Sequence, residues 1–209
     1  MSHSQYSFLM LKISYTRFTN STISFAAHNQ VAISGFSSTT FNYIIGGVVM
    51  DDGSSVTDNT ITITTTGKTY GGIYGGDCDS GTPTGDLFTG NTLNLNAGNT
   101  INQVGNVEKL NFLTSGDAGI GTLNTAPTNA ANLSVIPAGV IINTGANAVT
   151  FGAQLIGDGG VTKGDTTDNE IDSGILVLTN ANNTYSGATN VKEGTLKLSN
   201  GGAFCFGRE

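Results

Sequence analysis

The chain has 209 residues, of which 99 are Gly, Thr, Asn or Ser, and only 11% are charged against roughly a quarter in an ordinary soluble domain. A net charge of -7 with 8 Lys+Arg leaves no basic footprint for nucleic-acid phosphates, and 3 Pro exclude a collagen triple helix or a Pro-rich linker. A hydrophobic fraction of 37% is too high for a polar disordered chain, which points to a Gly/Thr/Asn-rich β architecture.

From the N-terminus, Phe8-Leu9-Met10-Leu11 is a short apolar run with no Lys or Arg before it. It falls below the roughly 7–15 residues of a secretory h-region, so no export signal is expected here. No run approaches the roughly 18 apolar residues of a membrane-spanning helix. Residues 1–45 read as an irregular segment carrying a strand-like Phe41-Asn42-Tyr43-Ile44-Ile45.

A repeat then emerges. Val56-Thr57-Asp58-Asn59-Thr60-Ile61-Thr62-Ile63 aligns with Phe88-Thr89-Gly90-Asn91-Thr92-Leu93-Asn94-Leu95, and a weaker copy is expected at Phe18-Thr19-Asn20-Ser21-Thr22-Ile23-Ser24-Phe25. Each copy is a polar turn feeding a strand of period two, with Ile or Leu on one face and Thr or Asn on the other. Val149-Thr150-Phe151, Ile175-Leu176-Val177-Leu178 and Thr195-Leu196-Lys197-Leu198 continue the theme. Strands this short cannot hide their apolar faces alone, so copies must stack. In a β-solenoid like then lies over like at about 4.8 Å: aliphatics on the axis, Thr along the flanks, Asn side chains bonded up the stack. Charges are penalised because repetition sets like over like. With roughly 20–25 residues per coil, about 150 residues would give about six or seven layers.

The C-terminal stretch from Gly174 to Ser199 reads GILVLTNANNTYSGATNVKEGTLKLS. It resembles the autotransporter-associated β-strand repeat, a G-x-L-x-L-T strand followed by A-N-x-Y-x-G-x-T and V-x-x-G-T-L. Matching positions are Gly174, Leu176, Leu178, Thr179, Ala181, Asn182, Asn183, Tyr185, Gly187, Thr189, Val191, Gly194, Thr195 and Leu196. One extra residue sits in the Asn182-Asn183 turn, and Gly159-Gly160-Val161-Thr162-Lys163 resembles the usual lead-in. The section from Gly46 to Leu95 is similar to the Gly/Thr/Asn repeats of autotransporter passengers. The resemblance implies an all-β, right-handed parallel β-helix on a bacterial surface or secreted, normally followed by a C-terminal β-barrel that this chain lacks. It divides the chain into residues 1–45, solenoid repeats over 46–158 and the associated repeat over 159–209. It also implies an adhesive or stalk role, with host or neighbouring cell-surface molecules as partners.

Candidate chemistry is sparse, and no catalytic, cofactor-binding or metal site is expected. The histidines, His3 and His28, lie in the least regular part of the chain, away from any nucleophile pattern. Carboxylates occur as Asp51-Asp52, Asp77 with Asp79, and Asp165/Asp168/Glu170/Asp172, all in turn-like stretches that read as solvated loop acids. Calcium at the last group is the best chemical alternative, although one loop seldom supplies the roughly 6–8 oxygens needed. A carbohydrate-active β-helix enzyme would need paired carboxylates with Lys or Arg on one face, whereas Lys68, Lys109 and Lys163 read as scattered over dissimilar turns. A non-functional fragment of a longer surface protein is the other alternative. Cys78 and Cys205 match no zinc or redox spacing, and a stacked array would set them too far apart for a disulfide. Tyr70 and Tyr74, flanked by Gly, read as stack caps, with stacking on a sugar or peptide as the sharper alternative.

Overall fold

The computed structural model describes residues 10–14, 22–23, 29–34, 40–50, 53–79, 82–127, 139–165, 171–199 and 201–204. Within them the chain is all-β, with twenty strands numbered β1 to β20 in chain order. The longest sheet has eight strands: β1 (Met10–Ser14), β3 (Gln30–Ser34), β6 (Thr60–Ile63), β9 (Thr92–Leu95), β11 (Lys109–Phe112), β14 (Gly139–Asn143), β17 (Gly160–Lys163) and β19 (Thr189–Val191). A six-stranded sheet contains β2 (Thr22–Ile23), β4 (Thr40–Ile45), β7 (Thr69–Tyr74), β10 (Thr100–Gly105), β13 (Ile120–Asn124) and β16 (Gln154–Ile156). A four-stranded sheet holds β12 (Gly116–Asp117), β15 (Ala148–Phe151), β18 (Ile175–Leu178) and β20 (Thr195–Leu198), and β5 (Val48–Val49) pairs with β8 (Asp77–Cys78).

Consecutive strands fall in different sheets, and every strand pairs in parallel with a strand from another pass of the chain. This is the stacked parallel arrangement of a β-solenoid. The eight-stranded sheet runs without a break from Met10 to Val191.

Register explains why the core holds. Val31, Ile61, Leu93, Leu110 and Ile142 occupy one column of the long sheet, and Ile33, Ile63, Leu95 and Phe112 the next. All nine are at most 3% exposed. In the six-stranded sheet Ile44, Ile73, Val104, Leu123 and Leu155 form a matching column, fully buried. Each such side chain contributes about 1.5–3 kcal/mol on burial, which no single four-residue strand could gain alone.

The repeat at Val56–Ile63 and Phe88–Leu95 is real and in register: Thr60 faces Thr92, Ile61 faces Leu93 and Ile63 faces Leu95. The expected third copy is out of place. Thr22 and Ile23 pair with Tyr43 and Ile44 in the six-stranded sheet, while the strand beside β6 is Gln30–Ser34. Its Val31 and Ile33 supply the aliphatic column, and the Thr-x-Asn turn that guided the alignment does not set the register. Coil length also departs from expectation, running from 17 residues between Asn94 and Asn111 to 33 between Gly116 and Val149. Stacking fixes only the strands, so turns between them are free to grow into excursions such as β5 and β8.

Truncating an inward rung should therefore cost far more than truncating an outward one. Leu110→Ala is expected to lose about 2–5 kcal/mol in urea denaturation, whereas Thr62→Ala on the opposite face stays within about 1 kcal/mol.

Candidate functional site

Asparagine binds the stack along two separate lines. The inner line is buried at a turn: Asn59 Oδ1 accepts from the Asn29 backbone N–H at 2.9 Å, and Asn91 Oδ1 accepts from Asn59 Nδ2 at 2.9 Å and Asn59 N at 3.0 Å. Asn91 Nδ2 closes the line on the carbonyls of Val56 and Leu87. The outer line runs up the solvent face of the long sheet. Asn94 Nδ2 donates to Thr62 Oγ1 (3.1 Å), Asn111 Nδ2 to Asn94 Oδ1 (2.8 Å) and Asn143 Nδ2 to Asn111 Oδ1 (2.9 Å). At its top, among the described residues, no donor reaches the buried Oδ1 of Asn143. This ladder floors a groove of about 400 Å³ walled by Leu113, Ile171 and Asp172.

A second groove, of about 450 Å³, lies on the six-stranded sheet beside Tyr43, Tyr74, Asp77 and Asn106. Tyr43 is 45% exposed, and its ring meets that of Tyr74 at 6.2 Å and 42°. Gly72, the register partner of Tyr43, leaves room for both rings, since a Cβ there would press against them. Burial, then the neighbouring Tyr43 and Asp77, push the Tyr74 phenol above its ordinary pKa. Tyr70 behaves differently. It is fully buried, stacks on Phe41 at 5.1 Å and 10°, and hydrogen-bonds Thr65 Oγ1 at 2.9 Å, so it belongs to the core. Burial raises its pKa and the Thr65 hydrogen bond opposes this.

The acids expected to be solvated divide. Asp51, Asp52, Asp168 and Glu170 lie outside the described residues, as do His3, His28 and Cys205. Asp77 is half-buried and accepts from the Cys78 N–H at 2.9 Å. Asp165 and Asp172 are the correction: they are 1% and 4% exposed, held by Lys109 and Lys163 in ion pairs of 2.5 Å each. Neither lysine sits on a turn. Lys109 is on β11 and Lys163 on β17 of the same sheet. Lys163 faces Ile142 on one side and Val191 on the other, inside the aliphatic column. A buried charge survives only with a partner, and Asp172 supplies it. Strict alternation from Val161 places residue 163 inward, so the inward lysine was visible in the sequence.

The hallmark residues at the C-terminal end each have a physical task. Leu176 and Leu178 point inward over Val149 and Phe151. Asn183 Oδ1 accepts from the Leu155 N–H at 2.9 Å while its Nδ2 donates to the carbonyls of Asn180 and Ala203, joining three passes. Tyr185 is fully buried with its hydroxyl 2.5 Å from Thr189 Oγ1. Gly187 lies against the Gly159 and Gly160 backbone, where any Cβ would collide. With this geometry in view, residues 171–198 match the family model of the passenger-associated-transport-repeat. The chain carries an autotransporter passenger repeat. No curated protein and no solved structure matches the chain. The passenger repeat forms the last described rung, where Val191 and Leu198 are 53% and 43% exposed and no further strand pairs with β19 or β20 among the described residues.

The outer ladder can be probed directly. Asn111→Ala removes two bonds, its own to Asn94 Oδ1 and the one it accepts from Asn143 Nδ2, and should cost about 1–3 kcal/mol in equilibrium unfolding. Asn111→Thr, which keeps a hydroxyl in the line, should recover part of that loss.

Proposed function

We propose that this chain is a non-catalytic segment of a surface-exposed autotransporter passenger, a stalk that also offers an adhesive flank. The observation that carries the reading is the match to a passenger transport repeat at the end of an in-register parallel stack. A stack of this kind grows along one axis and presents long, repeated polar faces. The Asn ladder groove and the Tyr43/Tyr74 groove are two such faces, one with an amide floor between Leu113 and Ile171 and one mixing aromatic rings with Asp77. Tyrosine supplies contact area at low entropic cost, with its hydroxyl still able to bond. The partners on this reading are host or neighbouring cell-surface molecules, and the location is the cell surface or the medium.

The non-catalytic half of the proposal is supported by the state of the carboxylates. Asp165 and Asp172 are buried and each faces a lysine, an arrangement suited to holding a fold together. A pair of carboxylates flanking a scissile bond needs one group free to give a proton and another free to act as base or nucleophile.

Antibody raised against the purified chain should label intact cells of the producing bacterium. Labelling only after permeabilisation would contradict a surface location. The purified chain should also adhere to host cells or matrix in a solid-phase assay, and the Tyr43→Ala/Tyr74→Ala pair should weaken adhesion about tenfold or more, as loss of an aromatic anchor does. Undiminished adhesion would remove the tyrosine flank from the account, and no adhesion at all would leave the stalk role alone.

A further inference from the structure

Lys163 and Asp172 are arranged as more than an ion pair. Nζ lies 2.5 Å from Oδ2, with both side chains shut off from solvent at 0% and 4% exposure. Despite that closeness, Nζ makes no hydrogen bond of ordinary geometry. The carboxylate is pinned and polarised from both ends by one residue. The Thr144 backbone N–H donates to Oδ2 and the Thr144 hydroxyl to Oδ1, each at 3.0 Å. A third acidic residue is tied to both partners: Glu193 Oε2 accepts from the Asp172 N–H at 3.0 Å, and the Glu193 N–H donates to the Lys163 carbonyl at 3.3 Å. Lys163 Nζ itself packs beside Gly194, the next residue, where a Cβ would lie 2.8 Å from it.

We propose that Lys163 and Asp172 join through an intramolecular isopeptide bond. A proton passes from the Lys163 ammonium to Asp172 Oδ2, and the nitrogen lone pair so freed attacks Asp172 Cγ, forming the C–N bond and a tetrahedral carbon whose oxyanion at Oδ1 is met by the Thr144 hydroxyl. A second proton moves from the nitrogen to the Oδ2 hydroxyl, and the Cγ–Oδ2 bond breaks to release water. Overall, an ammonium and a carboxylate become an amide and one water, so no oxidant, metal or co-reactant is needed. Two features drive the step. The nitrogen is held 2.5 Å from Oδ2 of the carboxyl group it attacks, which avoids most of the entropic cost of a bimolecular reaction, and the product replaces two buried charges with one neutral group. Lys109 and Asp165 do not follow suit, because the Lys109 side chain is 28% exposed and its charge is less desolvated than that of Lys163. The clasp would close the chain between residues 163 and 172 into a covalent ring at the base of the passenger repeat. It stands independently of the adhesive reading.

The test is the mass of the folded full chain, measured after denaturation. The expected value is one water below that of the sequence, and cleavage at Glu170 should leave the Lys163 and Asp172 peptides joined. Lys163→Met and Asp172→Ala should each restore the full mass, and Thr144→Val, which removes the hydroxyl on Asp172 Oδ1, should leave most of the chain unlinked while its circular dichroism stays β-type. A wild-type chain at full mass overturns the proposal. So does a lost water that maps elsewhere, such as a succinimide at Asp158-Gly159, with the two peptides separating after cleavage.

Discussion

A four-residue strand with two inward side chains cannot remain folded alone, and everything in this molecule follows from how that deficit is met. Each pass of the chain sets Ile, Leu, Val or Phe over Ile, Leu, Val or Phe of the pass before, and the columns become a continuous core. Because the stacking is parallel and in register, whatever occupies a position is copied into the environment of its neighbours. Asparagine tolerates this, since its amide can donate to one neighbouring pass and accept from the other: Asn29 and Asn59 donate to the later pass inside, and Asn111 and Asn143 to the earlier pass outside. A charge does not tolerate it. Lys163, an inward lysine, sits between Ile142 and Val191 and is neutralised by an acid brought in from outside the column.

The rule for strands was legible in the amino-acid order because period-two alternation and like-over-like composition are local properties. Ile61, Ile63, Leu93, Leu95, Leu176 and Leu178 all point where alternation sends them. What was not legible came from elements whose geometry depends on other passes. Alternation carries Phe41 inward and would carry Tyr43 with it, yet Tyr43 is exposed and Ile44 buried. The same outward step recurs in β7 and β10, where Ile73 and Val104 rather than the residues before them face the core. A corner stacked over several passes therefore aims the exposed tyrosines, and no single strand announces it. The acids at 165 and 172 were read as solvated because they sit in a Thr- and Asp-rich stretch. Their burial depends on Lys109 and Lys163, which alternation and register together bring to one sheet.

The candidate surfaces inherit their regularity from the core. The outer Asn line is straight because the aliphatic columns behind it are straight, and the Tyr43/Tyr74 groove is open because Gly72 leaves its position empty. The passenger repeat lies at the end where the columns are least covered, with Leu196 packed only partly against the core. Asn183 and Tyr185 fasten that end to the passes before it, so the repeat both continues the stack and ties it down. A rod so built can carry varied flanks without altering its axis, which is what an extended surface segment requires.

Register between passes is the quantity on which all of this rests, and cysteine cross-linking reads it directly. With Cys78 and Cys205 replaced by Ser, Thr62→Cys/Asn94→Cys places two thiols on facing residues of adjacent strands. Neighbouring strands lie about 4.8 Å apart, within the reach of a disulfide. Under mild oxidation this pair should close rapidly and completely, while Thr62→Cys/Asn111→Cys, one further strand away, should remain reduced. Closure of the second pair in preference to the first, or of neither, would mean that the passes do not stack in this order.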